Sequence, residues 1–204
     1  MNKSYYIYGA SGHSKVIIEI IEKAGGSIEG LYDDDPKKKL LFNYKVTNEK
    51  SILGLANANW IIGIGNNTIR KKIADNNLLN YSIAVDISAN ISRRIKIGNG
   101  TVIMAGVSIN SSSIIGNHAI INTSASVDHD CVIANFVHIS PNATLCGGVT
   151  LGEGTHIGAG AVIIPGITIG KWVKVGAGAV IIKDVPDFAT VVGNPGKVIK
   201  VGKG

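Results

Sequence analysis

From Val85 to Val185 apolar residues return at every sixth position without a slip. Val85, Ile91, Ile97, Ile103, Ile109, Ile115, Ile121, Val127, Ile133, Ile139, Leu145, Leu151, Ile157, Ile163, Ile169, Val175 and Ile181 hold the first slot of successive hexads. A glycine often follows, as at Gly98, Gly116, Gly152, Gly158, Gly170 and Gly176. The fifth slot is mostly small or β-branched, as at Ala89, Thr101, Ala125, Cys131, Ala143, Thr155 and Ala179. A period of six fits neither an α-helix nor an isolated alternating strand. It fits a solenoid in which each hexad is one short strand and one bend. Three hexads close a triangular coil, so residues eighteen apart stack on one wall, about 4.8 Å from coil to coil. The first slot then points inward, and the small fifth slot sits near a corner. The second-slot glycine is expected to supply a turn with φ > 0. A sandwich of short strands would have loops of varied length and would lose this register.

Ahead of the hexads the period changes. Lys3 to Tyr8 reads as a strand, Gly9 to Ser14 as a glycine turn, and Lys15 to Ala24 as a helix with a buried stripe of Val16, Ile17, Ile20 and Ile21. Gly25-Gly26 stops it, and Ile28 to Tyr32 is a second strand ended by Asp33-Asp34-Asp35-Pro36. Ser51 to Ala56 reads as a short helix and Trp60 to Ile64 as a third strand. Thr68 to Asn76 reads as a helix carrying Arg70, Lys71 and Lys72 outward. The expected fold is therefore mixed: a Rossmann-like α/β (βαβ) subdomain over 1–82, then a parallel β-helix of hexapeptide repeats over 83–204. An Asn194-Pro195-Gly196 turn is expected to cap its open end.

The βαβ start bends through glycine into its first helix, as nucleotide sites do. Main-chain N–H groups at that helix start can hold phosphate oxygens, and the acidic run after the second strand can accept from a ribose or base. The pattern is G-x-x-G rather than G-x-G-x-x-G, which also fits a tight turn in any α/β domain and argues against a nicotinamide oxidoreductase. Asp33 to Asp35 equally fits a solvated loop, and Lys37-Lys38-Lys39 an exposed charge run.

Composition narrows the classes. The 204 residues carry a formal charge of +6 with 26 glycines and two cysteines. That charge suits a phosphate-bearing ligand, but no basic stripe interleaved with aromatics points to nucleic acid. No apolar run is long enough to span a bilayer. Without a signal peptide, Cys131 and Cys146 read as free thiols of a cytoplasmic protein.

Polar residues break the hexad pattern between Asn122 and Cys131. His129, in an outward third slot, is flanked by Asp128 and Asp130; an imidazole beside a carboxylate is the usual preparation of a general base. His138 and His156 share sixth slots eighteen apart and should stack. Gly147 should lie over His129 and leave open space there. A metal cluster of these histidines with Asp130 lacks zinc-like spacing, and no metal is expected. A serine nucleophile at Ser124 or Ser126 has no elbow motif to support it.

These residues carry a resemblance. The array resembles the left-handed β-helix of the hexapeptide-repeat acyltransferases. More narrowly, the chain resembles the nucleotide-sugar group containing sialic acid O-acetyltransferases and UDP-N-acetylbacillosamine-pathway N-acetyltransferases. The resemblance runs through Tyr6 to His13, Asp33-Asp34, Ile64 to Asn67, Ile69 to Lys72, Asn122 to Ser124, His129 to Ile133, and His138. It implies a coil of left hand and an acetyl-CoA-dependent sugar acetyltransferase acting as a homotrimer, with sites between neighbouring prisms. His129 would be the general base and Asp130, where the family often has Glu, its orienting acid. Ser11, Gly12, His13, Asp33, Asp34, Gly65 and Asn66 would hold the nucleotide part. His138, Gly147, Ala159 and Ala177 would line the acetyl-CoA groove, with Asn122 in support. A main-chain N–H or His138 would stabilise the oxyanion. The acceptor implied is the amine of a UDP-4-amino-4,6-dideoxy sugar. Sialic acid O-acetylation, GDP-perosamine N-acetylation and a non-enzymatic nucleotide-sugar-binding scaffold are the other readings.

Overall fold

A computed structural model describes residues 3–55 and 58–202. Its N-terminal part holds β1 (Ser4–Tyr8), α1 (Gly12–Lys23), β2 (Ser27–Tyr32), β3 (Leu40–Leu41), β4 (Tyr44–Thr47), a 3-10 turn (Lys50–Gly54), β5 (Asn59–Ile62) and α2 (Asn67–Asn76). The strands form one sheet in the order β3-β4-β2-β1-β5, parallel except for the β3–β4 hairpin. Ala56, the last residue of the expected short helix, lies outside the described residues. Helix α1 begins at Gly12, three residues earlier than expected, and its buried face is Ser14, Ile17, Ile18, Ile20 and Ile21. Val16 is off that stripe and exposed. The hairpin was not foreseen, because two- and four-residue strands leave too few positions to show a period.

Every hexad then contributes one two-residue strand to a left-handed type of parallel β-helix. The first wall stacks Ala84–Val85, Val102–Ile103, Ile120–Ile121, His138–Ile139, His156–Ile157 and Lys174–Val175. The second wall runs from Asn90–Ile91 to Val180–Ile181, and the third from Lys96–Ile97 to Thr168–Ile169. Ile139 lies directly against Ile157 in the ladder. First-slot and fifth-slot side chains fill one continuous core, most of them fully buried. Thr101, Ser113 and Thr155 put a hydroxyl into that core without leaving it unpaired. Each donates to a carbonyl fifteen residues on (Gly116, Asp128, Gly170) and accepts an N–H eighteen residues on (Ala119, Cys131, Val173).

The glycine expectation needs correcting. Positive φ occurs at the fourth slot, not the second, and non-glycine residues tolerate it there: Asp130 at 58°, Phe136 at 60°, Asn142 at 57°. The second-slot glycines serve close approach instead. A Cβ on Gly152 would stand 2.5 Å from the Gly170 carbonyl carbon in the next coil, and backbone cannot move aside as a side chain can.

The end of the prism is closed on all three walls. Strand Ala189–Val192 pairs with Lys174–Val175, Val185 bridges Ile169, and the 193–196 turn exchanges two main-chain bonds with Val180.

The two parts share a core. Ala84, Val102, Met104 and Ile120, facing out from the first wall, pack against Ile7, Ile17 and Ile21. Arg70 fixes the rest of the contact. Expected to point outward, it is 1% exposed. Its guanidinium donates to the carbonyls of His118, Phe136, Ile64 and Gly65 and to Asn67 Oδ1, at 2.8 to 3.2 Å. Asn67 Nδ2 donates onward to the carbonyls of Gly154 and Thr155. Burial lowers Arg70 to about 9, which leaves it a cation at neutral pH.

Candidate active site

The turn Asp128–Cys131 joins the second wall to the third. Ser113, buried one coil below, holds it at both ends, donating to Asp128 O and accepting from Cys131 N. Asn110 Nδ2 donates to Asp128 Oδ1 at 2.7 Å, and the same oxygen accepts the His129 N–H at 2.8 Å. The turn is therefore fixed while its third-slot side chain stays in solvent. His129 Nδ1 and Asp130 Oδ2 are 2.7 Å apart, so Nδ1–H donates to the carboxylate and Nε2 is left as the free basic nitrogen. The Asp130 hydrogen bond, then the charge of Asp128, raises the His129 pKa above its ordinary value. Gly147 does lie over His129, but the space is filled: a Cβ there would meet the ring Cε1 at 2.7 Å.

The first wall carries a different arrangement. Asn122 Oδ1 accepts the Thr123 N–H at 2.8 Å, which turns its Nδ2 toward His138 Nε2 at 3.0 Å. His138 Nε2 must then accept, and the ring proton sits on Nδ1, which is buried without a hydrogen-bond partner. Burial, then the neighbouring His156, Arg70 and His13, lowers His138 to about 3. It is a neutral ring whose N–H is enclosed against the Gly65 main chain. His156 stacks on it, ring centroids 4.7 Å apart and planes 2° from parallel.

At the N-terminal part, helix α1 opens at Ser11 with no side-chain cap and no acidic residue in its first turn, and a Cβ on Gly12 would meet nothing within 4 Å. Its first N–H groups are free for an anion. Asp33 is 7% exposed, and its Oδ2 accepts from Ala10 N and Lys38 Nζ, both at 2.7 Å, so it braces the glycine turn. Lys38 thus belongs to that brace rather than to a free charge run. Asp34 accepts from the Tyr8 and Tyr32 hydroxyls at 2.8 Å each. Asn66 Oδ1 caps α2 through the Ile69 N–H, and Gly65 stands in open space beside it. His13 is half-buried with Nε2 enclosed and unpaired, and burial with Arg70 lowers it to about 4. The roles of Arg70 and Ser113 carry no local signal in the sequence, since each acts through partners distant along the chain.

Comparison with known proteins decides the family. Residues 5–77 match the PglD N-terminal domain, and 130–165 and 148–183 match the bacterial transferase hexapeptide (six repeats). A histidine-to-asparagine variant of perosamine N-acetyltransferase from Caulobacter crescentus, in complex with CoA and GDP-perosamine, is 36% identical. That match covers 98% of each chain with a TM-score of 0.91. The acetyltransferase domain of PglB from Neisseria gonorrhoeae FA1090, in complex with acetyl coenzyme A, is 35% identical over 98% of this chain and 100% of that one, with a TM-score of 0.90. WeeI from Acinetobacter baumannii AYE is 27% identical over 97% and 100%, with a TM-score of 0.88. The chain belongs to the hexapeptide-repeat sugar acetyltransferase family. No curated protein sequence matches it.

Within one chain of this acetyltransferase the expected site residues fall into two groups. His129, Asp130 and Gly147 lie on the edge between the second and third walls. His138 and Asn122 lie at the first wall, which the α/β part covers, and Ala159 and Ala177 lie on the edge beyond it. The second wall separates the groups. Both edges that flank it have open positions in the later coils: a Cβ on Gly160, Gly166 or Gly178 would meet nothing within 4 Å. Such bare ledges fit a long, narrow cosubstrate such as the acetyl-CoA of the family. Among the described residues no set of three His, Cys, Asp or Glu side chains could hold a metal ion, and no helix is long and apolar enough to cross a membrane.

The half-buried histidines His13 and His138 give a pH signature. Their folded-state values lie below the ordinary 6.5, so below pH 6.5 the unfolded chain binds protons that the native chain refuses. The stability contributed by keeping them neutral is complete above pH 6.5 and is lost as pH falls toward 4. For His13 and His138 the loss is about 1.4 kcal/mol per pH unit each at most. Urea midpoints measured from pH 7.5 to 5 are expected to fall steadily below 6.5, and less steeply in His13→Phe.

Proposed function

We propose that this chain transfers the acetyl group of acetyl-CoA to the amine of a nucleotide-linked amino-dideoxy sugar, with His129 as general base. The observation that carries the reading is the exposed His129–Asp130 pair with Nε2 left free, held on a turn fixed from below. Acetyl-CoA supplies an already activated thioester, so no enzyme nucleophile is needed, and binding supplies proximity. His129 Nε2 takes the proton of the attacking amine, and Asp130 holds the ring and stabilises its protonated form. We assign the neutral His138 Nδ1–H, which faces the Gly65 main chain in the unliganded chain, as the donor to the oxygen that gains charge. The free N–H groups at Ser11, Gly12 and His13 suit the diphosphate, with Asp34 and Gly65 toward the nucleoside.

A cytoplasmic homotrimer completes the site: the His129 edge of one chain meets the first wall of its neighbour. Charge complementarity supports this. Asp128 and Asp130 flank the base, while Lys174 lines the first-wall cavity.

The acceptor is tested by acetyl-CoA turnover against UDP-, GDP- and dTDP-linked amino sugars and free sialic acid. Turnover with a UDP-4-amino sugar supports the reading. Preference for GDP-perosamine, the ligand of the Caulobacter crescentus enzyme, would move the nucleotide, and turnover only with sialic acid would move the chemistry to oxygen. Because Asp130 and Asp128 raise the His129 pKa, the acid limb of kcat/KM is expected above pH 6.5. Asp130→Asn should move that limb to lower pH and reduce the plateau rate; an unmoved limb would remove Asp130 from the role.

A further inference from the structure

We propose that His156 is a second contact for the acyl donor, gripping the pantetheine amide one coil beyond His138. The proposal rests on the reading that His138 faces the donor. The outward column of the first wall explains why His156 is placed for this. Ala84, Val102 and Ile120 are buried beneath the α/β part. The next two positions are His138 and His156, and the next is Lys174. The column turns polar where that cover ends, and a cavity of about 440 Å³ opens between the 65–68 loop and His138, His156, Trp172 and Lys174.

The two rings are held alike. His138 Nε2 is tied to Asn122 and His156 Nε2 to Ser140 Oγ at 2.8 Å, each partner sixteen residues earlier in the chain. Parallel rings tethered at the same atom present their Nδ1 edges in the same direction, one coil apart. In a pantetheine thioester the first amide follows the carbonyl after a sulfur and an ethylene link, a reach comparable with one coil spacing of about 4.8 Å. The Ser140 hydroxyl can donate or accept, so His156 can take either tautomer, and its Nδ1 can accept the amide N–H or donate to the amide carbonyl. Burial, then Arg70 and Lys174, lowers its pKa, which favours the neutral ring that such a contact needs.

His156→Phe keeps a flat ring on the stack and removes both nitrogens. Binding of CoA alone to the full-length protein, read by calorimetry and by quenching of tryptophan fluorescence at Trp172, is expected to weaken about tenfold, the worth of one hydrogen bond of ordinary strength. KM for acetyl-CoA should rise in parallel, with kcat and the sugar KM nearly unchanged. Unchanged CoA binding in His156→Phe, with an unaltered thermal midpoint, overturns the proposal. His138→Phe separates the two levels. If it weakens CoA binding while His156→Phe does not, His156 alone is misassigned; if neither does, the donor does not lie in this cavity and both readings fail.

Discussion

Replacing His129 with alanine is expected to lower the turnover of acetyl transfer by about 10²–10⁴-fold, the usual worth of a positioned general base, with no loss of thermal stability. The second half of the expectation follows from the ring's setting. The His129 side chain is 59% exposed, and its sole side-chain partner, Asp130, is 63% exposed. The turn is held by Ser113 and by Asp128 with Asn110, none of which depends on the imidazole. Full activity in the alanine variant would remove His129 from the chemistry. The same variant probes the assembly. His129→Ala and His138→Ala chains, each impaired alone, are mixed by co-expression. If a site is built from the His129 edge of one chain and the first wall of the next, some sites in mixed trimers inherit both intact halves, and activity returns above either parent. No recovery would mean that both residues serve a site within one chain, which the separation of their edges by the second wall argues against.

How far the sequence could be read depended on whether a residue's role is local or distant. The prism was legible because its rule repeats: a first-slot branched residue every sixth position can be satisfied by one geometry only, and Ile139 on Ile157 is that geometry. The His129–Asp130 pair was legible because its partners are adjacent. The glycine slots were misread, since a six-residue bend says that a turn occurs but not which position takes positive φ. The coil-to-coil approach that demands Gly152 exists only after stacking. Asp33 and Asn66 look like ligand groups in sequence, yet their side chains are already engaged, one by the glycine turn and Lys38, the other by a helix end. Any ligand they meet must share those acceptors. Arg70 was misplaced for the plainest reason: a cation on a polar helix is normally solvated, and the acceptors that bury it lie from three to sixty-six residues away.

That burial makes Arg70 the position where substitution should cost most. Arg70→Met is expected to destabilise the protein by several kcal/mol, on the order of 3–5. Four carbonyls and the Asn67 amide oxygen lose their donor while they remain enclosed, and methionine fills volume without satisfying any of them. Arg70→Lys keeps the charge but offers a point cation in place of a planar fork, and cannot reach acceptors on α2, the 64–65 loop and two solenoid coils together. It should recover part of the stability and little of the geometry. The damage should be local first. Hydrogen exchange ought to quicken in 64–76 and around His118 and Phe136 before the upper coils respond, because the C-terminal coils keep their own ladder. Activity should fall with it, since Arg70 grips the carbonyl of Gly65, which lines the cavity holding His138 and His156. A methionine variant with an unfolding free energy within a few tenths of a kcal/mol of the parent would show that the guanidinium fills space rather than joining the two parts. The placement of the 65–68 loop over the first wall would then need another cause.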